Sequence, residues 1–142
     1  AITTVKHIQV IDIVSSRMLG ACGFLAHVFN NFLKWNISID VIATSEVSVS
    51  CTVNTKNDLS GLIADLEQAS QVTVKQNKAI VTIICDAAHS SAILGSGFDA
   101  LADEGINVQM ISQGASKVNI SMIVDDDEAD RTVKILHAAY FN

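Results

Sequence analysis

The chain has 142 residues, 49% hydrophobic and 17% charged, which is enough apolar material for a packed core and too much for a disordered segment. A formal net charge of −6, with lysines and arginines scattered singly, argues against a phosphate backbone as partner. No apolar run reaches the roughly 18–20 residues of a membrane span, and no basic-then-apolar leader opens the chain, so the expected setting is soluble and intracellular, with no nucleic acid and no membrane as partner.

Taken in order, Ala1–Val5 is a short β-prone piece and Lys6–Val14 a longer strand. Ser15–Leu19 leads to a glycine turn, in which Gly20 and Gly23 flank Ala21 and Cys22. Such a turn leaves backbone N–H groups free at the start of a helix, where anions are attracted. From Phe24 the apolar residues Phe24, Leu25, Val28, Phe29, Phe32 and Leu33 mark one helical face, which Asn36 ends. The period then changes to two. Ile37–Thr44 and Val47–Val53 alternate apolar and polar residues and read as an antiparallel pair around a corner of Thr44, Ser45 and Glu46.

Asn57 and Asp58 offer a cap for a helix over 58–69, carried by Leu59, Leu62, Ile63 and Leu66. Gln71–Lys75 reads as a strand, Gln76–Lys78 as a turn and Ala79–Cys85 as a further strand. The pattern then repeats. Ile93, Leu94, Gly97, Phe98 and Leu101 mark a helix ending near Gly105, and Ile106–Ile111 is a strand. Ser112–Ser116 is a polar corner, Lys117–Val124 a second strand, and Asp125–Glu128 puts acid at the start of a last helix whose inner face holds Val133, Leu136 and Tyr140.

Placing Ile37 on Ile106 and Val47 on Val118 aligns the two halves at an offset of roughly seventy residues. The fold expected is therefore α+β: two ferredoxin-like βαββαβ units with antiparallel sheets. Ile2–Val5 has no place in the first unit, and the second lacks a strand after its last helix. A strand exchange follows, with a first unit at 6–75 inserted in a second made of 1–5 and 77–142.

The chemistry concentrates between Met18 and Glu46. Asp40 and Glu46 put carboxylates on a strand end and corner near the glycine turn; from the residues alone they fit a cation site or an ordinary solvated strand end. The aligned residues of the second half are Gln109 and Lys117, which removes the negative pair. The three cysteines, Cys22, Cys51 and Cys85, are odd in number and lack CxxC spacing, which suits reduced structural thiols. His7, His27, His89 and His137 have no metal-ligand spacing, and SQGAS at 112–116 lacks the residues of a phosphate loop, so neither a metal site nor a catalytic residue is expected.

The strings GFLAHVF, ISIDVIATSEVSVS, INVQMISQGASKVNIS and LHAAYF, in this order and spacing, resemble the paired ACT domains of the C-terminal regulatory region of aspartate kinase, most closely its lysine-sensitive monofunctional branch. The resemblance implies an allosteric domain that binds L-lysine as feedback inhibitor at a dimer interface, with threonine or S-adenosylmethionine as alternative effectors. Lysine-contacting positions fall on Met18, Gly23, Phe24, Leu25, Ser38, Ile39, Asp40, Ser45 and Glu46. Ala21 departs from the hydroxyl-bearing residue of some relatives, which bears on affinity more than on ligand class. It also implies that the first unit binds the effector and the second serves the interface. The amino-acid-kinase domain, with its ATP and magnesium, should precede Ala1, so this chain carries no cofactor and reads as a fragment. The compartment implied is cytoplasm or plastid stroma. The competing expectation is a stand-alone dimerisation subunit with no effector response.

Overall fold

A computed structural model of the chain describes residues 1–15, 21–45, 47–54, 56–85, 90–113 and 119–141. The elements are β1 (Ile2–Ser15), α1 (Ala21–Lys34), β2 (Ile42–Thr44), β3 (Ser48–Val53), α2 (Ser60–Leu66), β4 (Ser70–Ile84), α3 (Ser90–Asp103), β5 (Met110–Gln113), β6 (Asn119–Asp125) and α4 (Ala129–Phe141), the last entered through a 3-10 turn at Asp126–Glu128. They divide into two compact units, Ile8–Gln76 and Ala1–His7 with Asn77–Asn142.

In the unit of Ile8–Gln76 the strand order is β2-β3-β1-β4, and β3 pairs antiparallel with both β1 and β2. Alternation decides which face is buried. Ile11, Ile13, Val49, Cys51 and Val53 point to the side covered by Phe24, Val28 and Phe32 of α1 and Leu62 and Leu66 of α2, and all are 8% exposed or less. Each such side chain stabilises the unit by about 1.5–3 kcal/mol. In the other unit the residues before Ile8 supply the fourth strand, beside β4, β6 and β5. The amide of Ile84 donates to the carbonyl of Ala1 at 2.8 Å, and Ile2 packs on a core of Val81, Ile83, Leu101, Ile120, Met122 and Leu136. This is the expected βαββαβ order in both units, with the expected exchange of the N-terminal strand.

The duplication extends to register. Ile42 pairs with Cys51, Ala43 with Ser50 and Thr44 with Val49; at the matching places Ile111 pairs with Met122, Ser112 with Ser121 and Gln113 with Ile120. Even the left-handed residues come in matched pairs: His7 (φ 61°) with Asn77 (φ 60°), and Asn36 (φ 52°) with Gly105 (φ 72°). The second pair closes α1 and α3 in the same way. Ile37 N–H donates to Phe32 O at 3.0 Å and Asn36 N–H to Leu33 O at 3.1 Å, as Ile106 does to Leu101 at 2.9 Å and Gly105 to Ala102 at 3.1 Å. A helix stopped by a left-handed residue satisfies its last carbonyls this way.

Several expected boundaries move. Ala1–Val5 and Lys6–Val14 form a single strand, and no turn interrupts β4 at 76–78: Asn77 takes its positive φ within the extended chain. The helix expected from Phe24 already begins at Ala21, so Gly23 lies inside its first turn. Phe29 and Leu33 leave the buried face, at 43% and 78% exposed, because a step of one residue from Val28 and Phe32 turns the side chain about 100° around the helix. The strand expected from Ile37 is regular only from Ile42, that expected from Ile106 only from Met110, and the helix expected over 58–69 spans Ser60–Leu66. Asp58 does act at that start, accepting the amide of Ser60 at 3.0 Å and its hydroxyl at 2.6 Å. No helix among the described residues is long and apolar enough to cross a membrane.

Candidate functional site

Of the residues expected to line a site, Met18 and Glu46 lie outside the described residues. The others fall at two ends of α1 and β2. Gly23, Phe24 and Leu25 belong to the start of α1. The fourth residue of a helix donates to the residue before its start, as Ile63 of α2 does to Leu59, so within α1 the N–H groups left without an acceptor in the helix are those of 21–23: Gly23 is among them, and Phe24 and Leu25 are past them. Gly23 is exposed, whereas the Phe24 ring is fully buried and Leu25 packs on the same core, so Gly23 is the exposed member of the three. Ser45, at the hairpin corner, is exposed, donates its amide to Ser48 O at 2.8 Å and shares a hydroxyl contact with Ser48 at 2.7 Å. The end of β1 is at this same corner, since Ser15 N–H donates to Val47 O at 2.7 Å.

Ser38, Ile39 and Asp40 follow the C-terminal end of α1. Ser38 and Asp40 are exposed, and Ile39 packs on the core. Asp40 N–H donates to Thr52 O at 3.0 Å, near the far end of β3 from the corner. At about 3.3 Å per residue, the five steps from Asp40 to Ser45 span roughly 16 Å. Within one chain, therefore, Asp40 does not meet Ser45 or the start of α1. No described residue makes a hydrogen bond or ion pair with the Asp40 carboxylate.

Thr52 went unnoticed in the sequence, where it reads as the polar half of an alternation. It is fully buried, and its Oγ1 accepts the amide of Val41 at 2.9 Å.

The corresponding edge of the other unit is closed by its own side chains. Gln109 Nε2 donates to Asp125 Oδ1 at 2.9 Å, and Lys78 Nζ meets the same oxygen at 2.5 Å. The Lys78 bond, then the Gln109 bond, hold the Asp125 carboxyl below its ordinary range. Lys117, the partner position to Glu46, lies outside the described residues.

A cleft of about 320 Å³ opens beside α2 between Gln9, Asp58, Ile63, Val74 and Gln76. Among the described residues no group of His, Cys, Asp and Glu is arranged to hold a metal ion. Cys51 is fully buried, and its thiol is pushed up to about 12 by burial and by the Asp12 charge.

A family model described as the ACT domain matches residues 11–60 and 75–140. The chain is 48% identical over 145 residues to Aspartokinase 3, chloroplastic, of Arabidopsis thaliana, covering 96% of this chain and 26% of that protein. Among solved structures, a chain from Porphyromonas gingivalis W83, proposed to be the C-terminal regulatory domain of an aspartate kinase, superposes with a TM-score of 0.87 at 30% identity, covering 100% of this chain and 97% of that one. Aspartokinase III of E. coli in complex with lysine and aspartate (T-state) gives 0.80 at 30% identity, covering 100% of this chain and 33% of that one. The chain spans about a quarter of the length of the curated relatives it matches. With the duplicated βαββαβ ladder, these likenesses mean that the chain belongs to the ACT domain family, as a pair of ACT units of the kind found in the regulatory region of aspartate kinases.

Proposed function

We propose that this chain is the allosteric region of an aspartate kinase and that it binds L-lysine at the β2 edge of the unit Ile8–Gln76, between two copies of the chain. The observation that carries the reading is the exposed Asp40 carboxylate, without a partner among the described residues, beside the outermost strand of its unit. Lysine offers a carboxylate and two ammonium groups. The free N–H groups of the α1 start suit the first, and Asp40 with Glu46 suits the side-chain ammonium. In one chain these groups are a strand length apart. A two-fold axis that lays β2 antiparallel to its copy brings Asp40 of one protomer beside the corner and α1 start of its partner, which makes two equivalent composite pockets. Phe29 and Leu33, exposed on α1, supply apolar surface for such a pairing.

E. coli aspartokinase III, which superposes on this chain, has been solved with lysine bound, and that supports lysine over threonine and S-adenosylmethionine. The second unit, whose edge is tied off by Gln109, Asp125 and Lys78, serves the interface. The kinase domain, with ATP and magnesium, belongs to the rest of the protein, in the cytoplasm or the plastid stroma. Lysine can bias that domain only by binding one of its arrangements better than the other.

The test is thermal unfolding against lysine, threonine, methionine and S-adenosylmethionine, with sedimentation alongside. Lysine at a hundred times its dissociation constant stabilises by about 2.7 kcal/mol. Asp40→Asn or Glu46→Gln weakens binding about tenfold with the fold intact, since a charged hydrogen bond contributes about 1.5–3 kcal/mol. Dimerisation with no response to any of the four ligands would replace this reading with that of an assembly subunit.

A further inference from the structure

We infer that Thr52 is a positioning residue for Asp40: its hydroxyl fixes the backbone from which that carboxylate projects, and so sets the response to a cationic amino acid. The inference rests on the ligand reading above. Three bonds converge on Thr52. Asp40 N–H donates to its carbonyl at 3.0 Å, its own N–H donates to Val41 O at 2.8 Å, and Val41 N–H donates to its Oγ1 at 2.9 Å. Asp40 and Val41 together therefore face a single residue of β3, the arrangement of a β-bulge. The regular ladder of β2 begins only at Ile42 with Cys51. The Val41 amide is half-buried and needs an acceptor, which the threonine hydroxyl supplies.

The other unit is an internal control. Ile123 stands where Thr52 does, Gln109 N–H donates to its carbonyl at 2.8 Å, and Met110, at the place of Val41, pairs with Ile123 within the ladder. Where the hydroxyl is missing, the ladder reaches one residue further along the edge strand. The unit that has the hydroxyl is the one with the unpartnered carboxylate, and no other side chain among the described residues is bonded to the Asp40–Val41 backbone.

The experiment compares the parent chain with Thr52→Val, which keeps the shape and removes the acceptor, with Thr52→Ser, which keeps the acceptor, and with Asp40→Asn. Hydrogen exchange of the Val41 amide is read by NMR, and the lysine-induced rise in melting midpoint by calorimetry. In Thr52→Val the Val41 amide exchanges at least about tenfold faster, and the lysine shift falls toward that of Asp40→Asn. Thr52→Ser restores both, which a merely structural role would not require. A parent that responds to lysine with Thr52→Val responding equally overturns this inference alone, as does unchanged Val41 exchange. A parent with no lysine response overturns the ligand reading and this inference together. Should Thr52→Val fail to fold, Thr52→Ala against Thr52→Ser makes the same comparison.

Discussion

In the unit of Ile8–Gln76 the edge strand is preceded by an exposed carboxylate whose backbone is pinned to Thr52; in the unit completed by Ala1–His7 the same place holds Gln109, an amide tied to Asp125, which is tied in turn to Lys78. The two ladders share their register from Ile42 and Ile111 onward and their left-handed residues, so the backbone plan separates them only at the bulge before β2. Apolar alternation sets the plan, and a few polar positions on the edge set the chemistry. The edge chemistry thus differs between the units while the fold stays the same. Variants that act on matched positions test how far that difference goes.

The largest expected effect is on the cores. Phe24 is fully buried against α2 and β3, and Phe24→Ala should cost about 3–5 kcal/mol in urea unfolding. Its counterpart Ile93 is half-buried, and Ile93→Ala should cost less. Equal losses would mean that the two cores are packed alike despite their different exposure.

Next come two glycines that seat aromatic rings. A Cβ on Gly61 would overlap the Trp35 ring, whose Nε1 donates to Asp65 at 2.8 Å, while a Cβ on Gly97 would overlap Tyr140, whose hydroxyl donates to Ile93 O at 2.7 Å. Both substitutions to alanine should cost about 1–3 kcal/mol by overpacking. Only Gly61→Ala should shift the emission of Trp35, the single tryptophan, to longer wavelength. An unshifted spectrum would show that the indole moves aside without leaving its seat.

A smaller effect separates the units by pH. Asp125 is held below the ordinary carboxylate range by Lys78 and then Gln109, so its contribution is complete above pH ~4 and is lost as pH falls through the lowered value. The pair is partly exposed, which limits the gain to roughly 0.2–1 kcal/mol. Asp125→Asn should flatten that part of the acid limb of melting midpoint against pH, and an unchanged limb would mean that the Lys78–Asp125 pair adds nothing to stability.

Much of this was legible in the sequence because period and order are: the change from helical to alternating spacing at Asn36, its repetition at Gly105, and the orphan strand at 2–5 together prescribe two interlocked units. What was not legible has identifiable causes. Gln76-Asn77-Lys78 carries the composition of a turn, yet one left-handed residue can sit within an extended strand, and His7 does the same. Phe29 and Leu33 belong to a stripe wider than the buried face of α1, and composition cannot say where the neighbouring elements stop covering it. Gly23, Asp40 and Ser45 are near in sequence, but a helix and a strand lie between them, and a strand carries its two ends apart, so nearness in sequence does not say where they stand within one chain. Thr52 was missed because a hydroxyl bonded to a backbone amide leaves no mark on periodicity.

The finest contrast is in the cores themselves, where Cys51 occupies the place that Met122 fills in the other unit, both fully or almost fully buried. A thiol titrates and a thioether does not. With the folded Cys51 pushed up to about 12 by burial and the Asp12 charge, against roughly 8.5 when unfolded, its contribution is complete below pH ~8.5 and is lost as pH rises toward 12. At pH 8 the native chain should therefore react with a thiol reagent at exposed Cys22 and not at Cys51, which becomes reactive only on unfolding. Mass spectrometry of the alkylated chain reads this site by site. Prompt labelling of Cys51 with Cys22 would mean that the Ile8–Gln76 core opens on the labelling timescale, and adding lysine would then slow that labelling if the effector binds the closed unit.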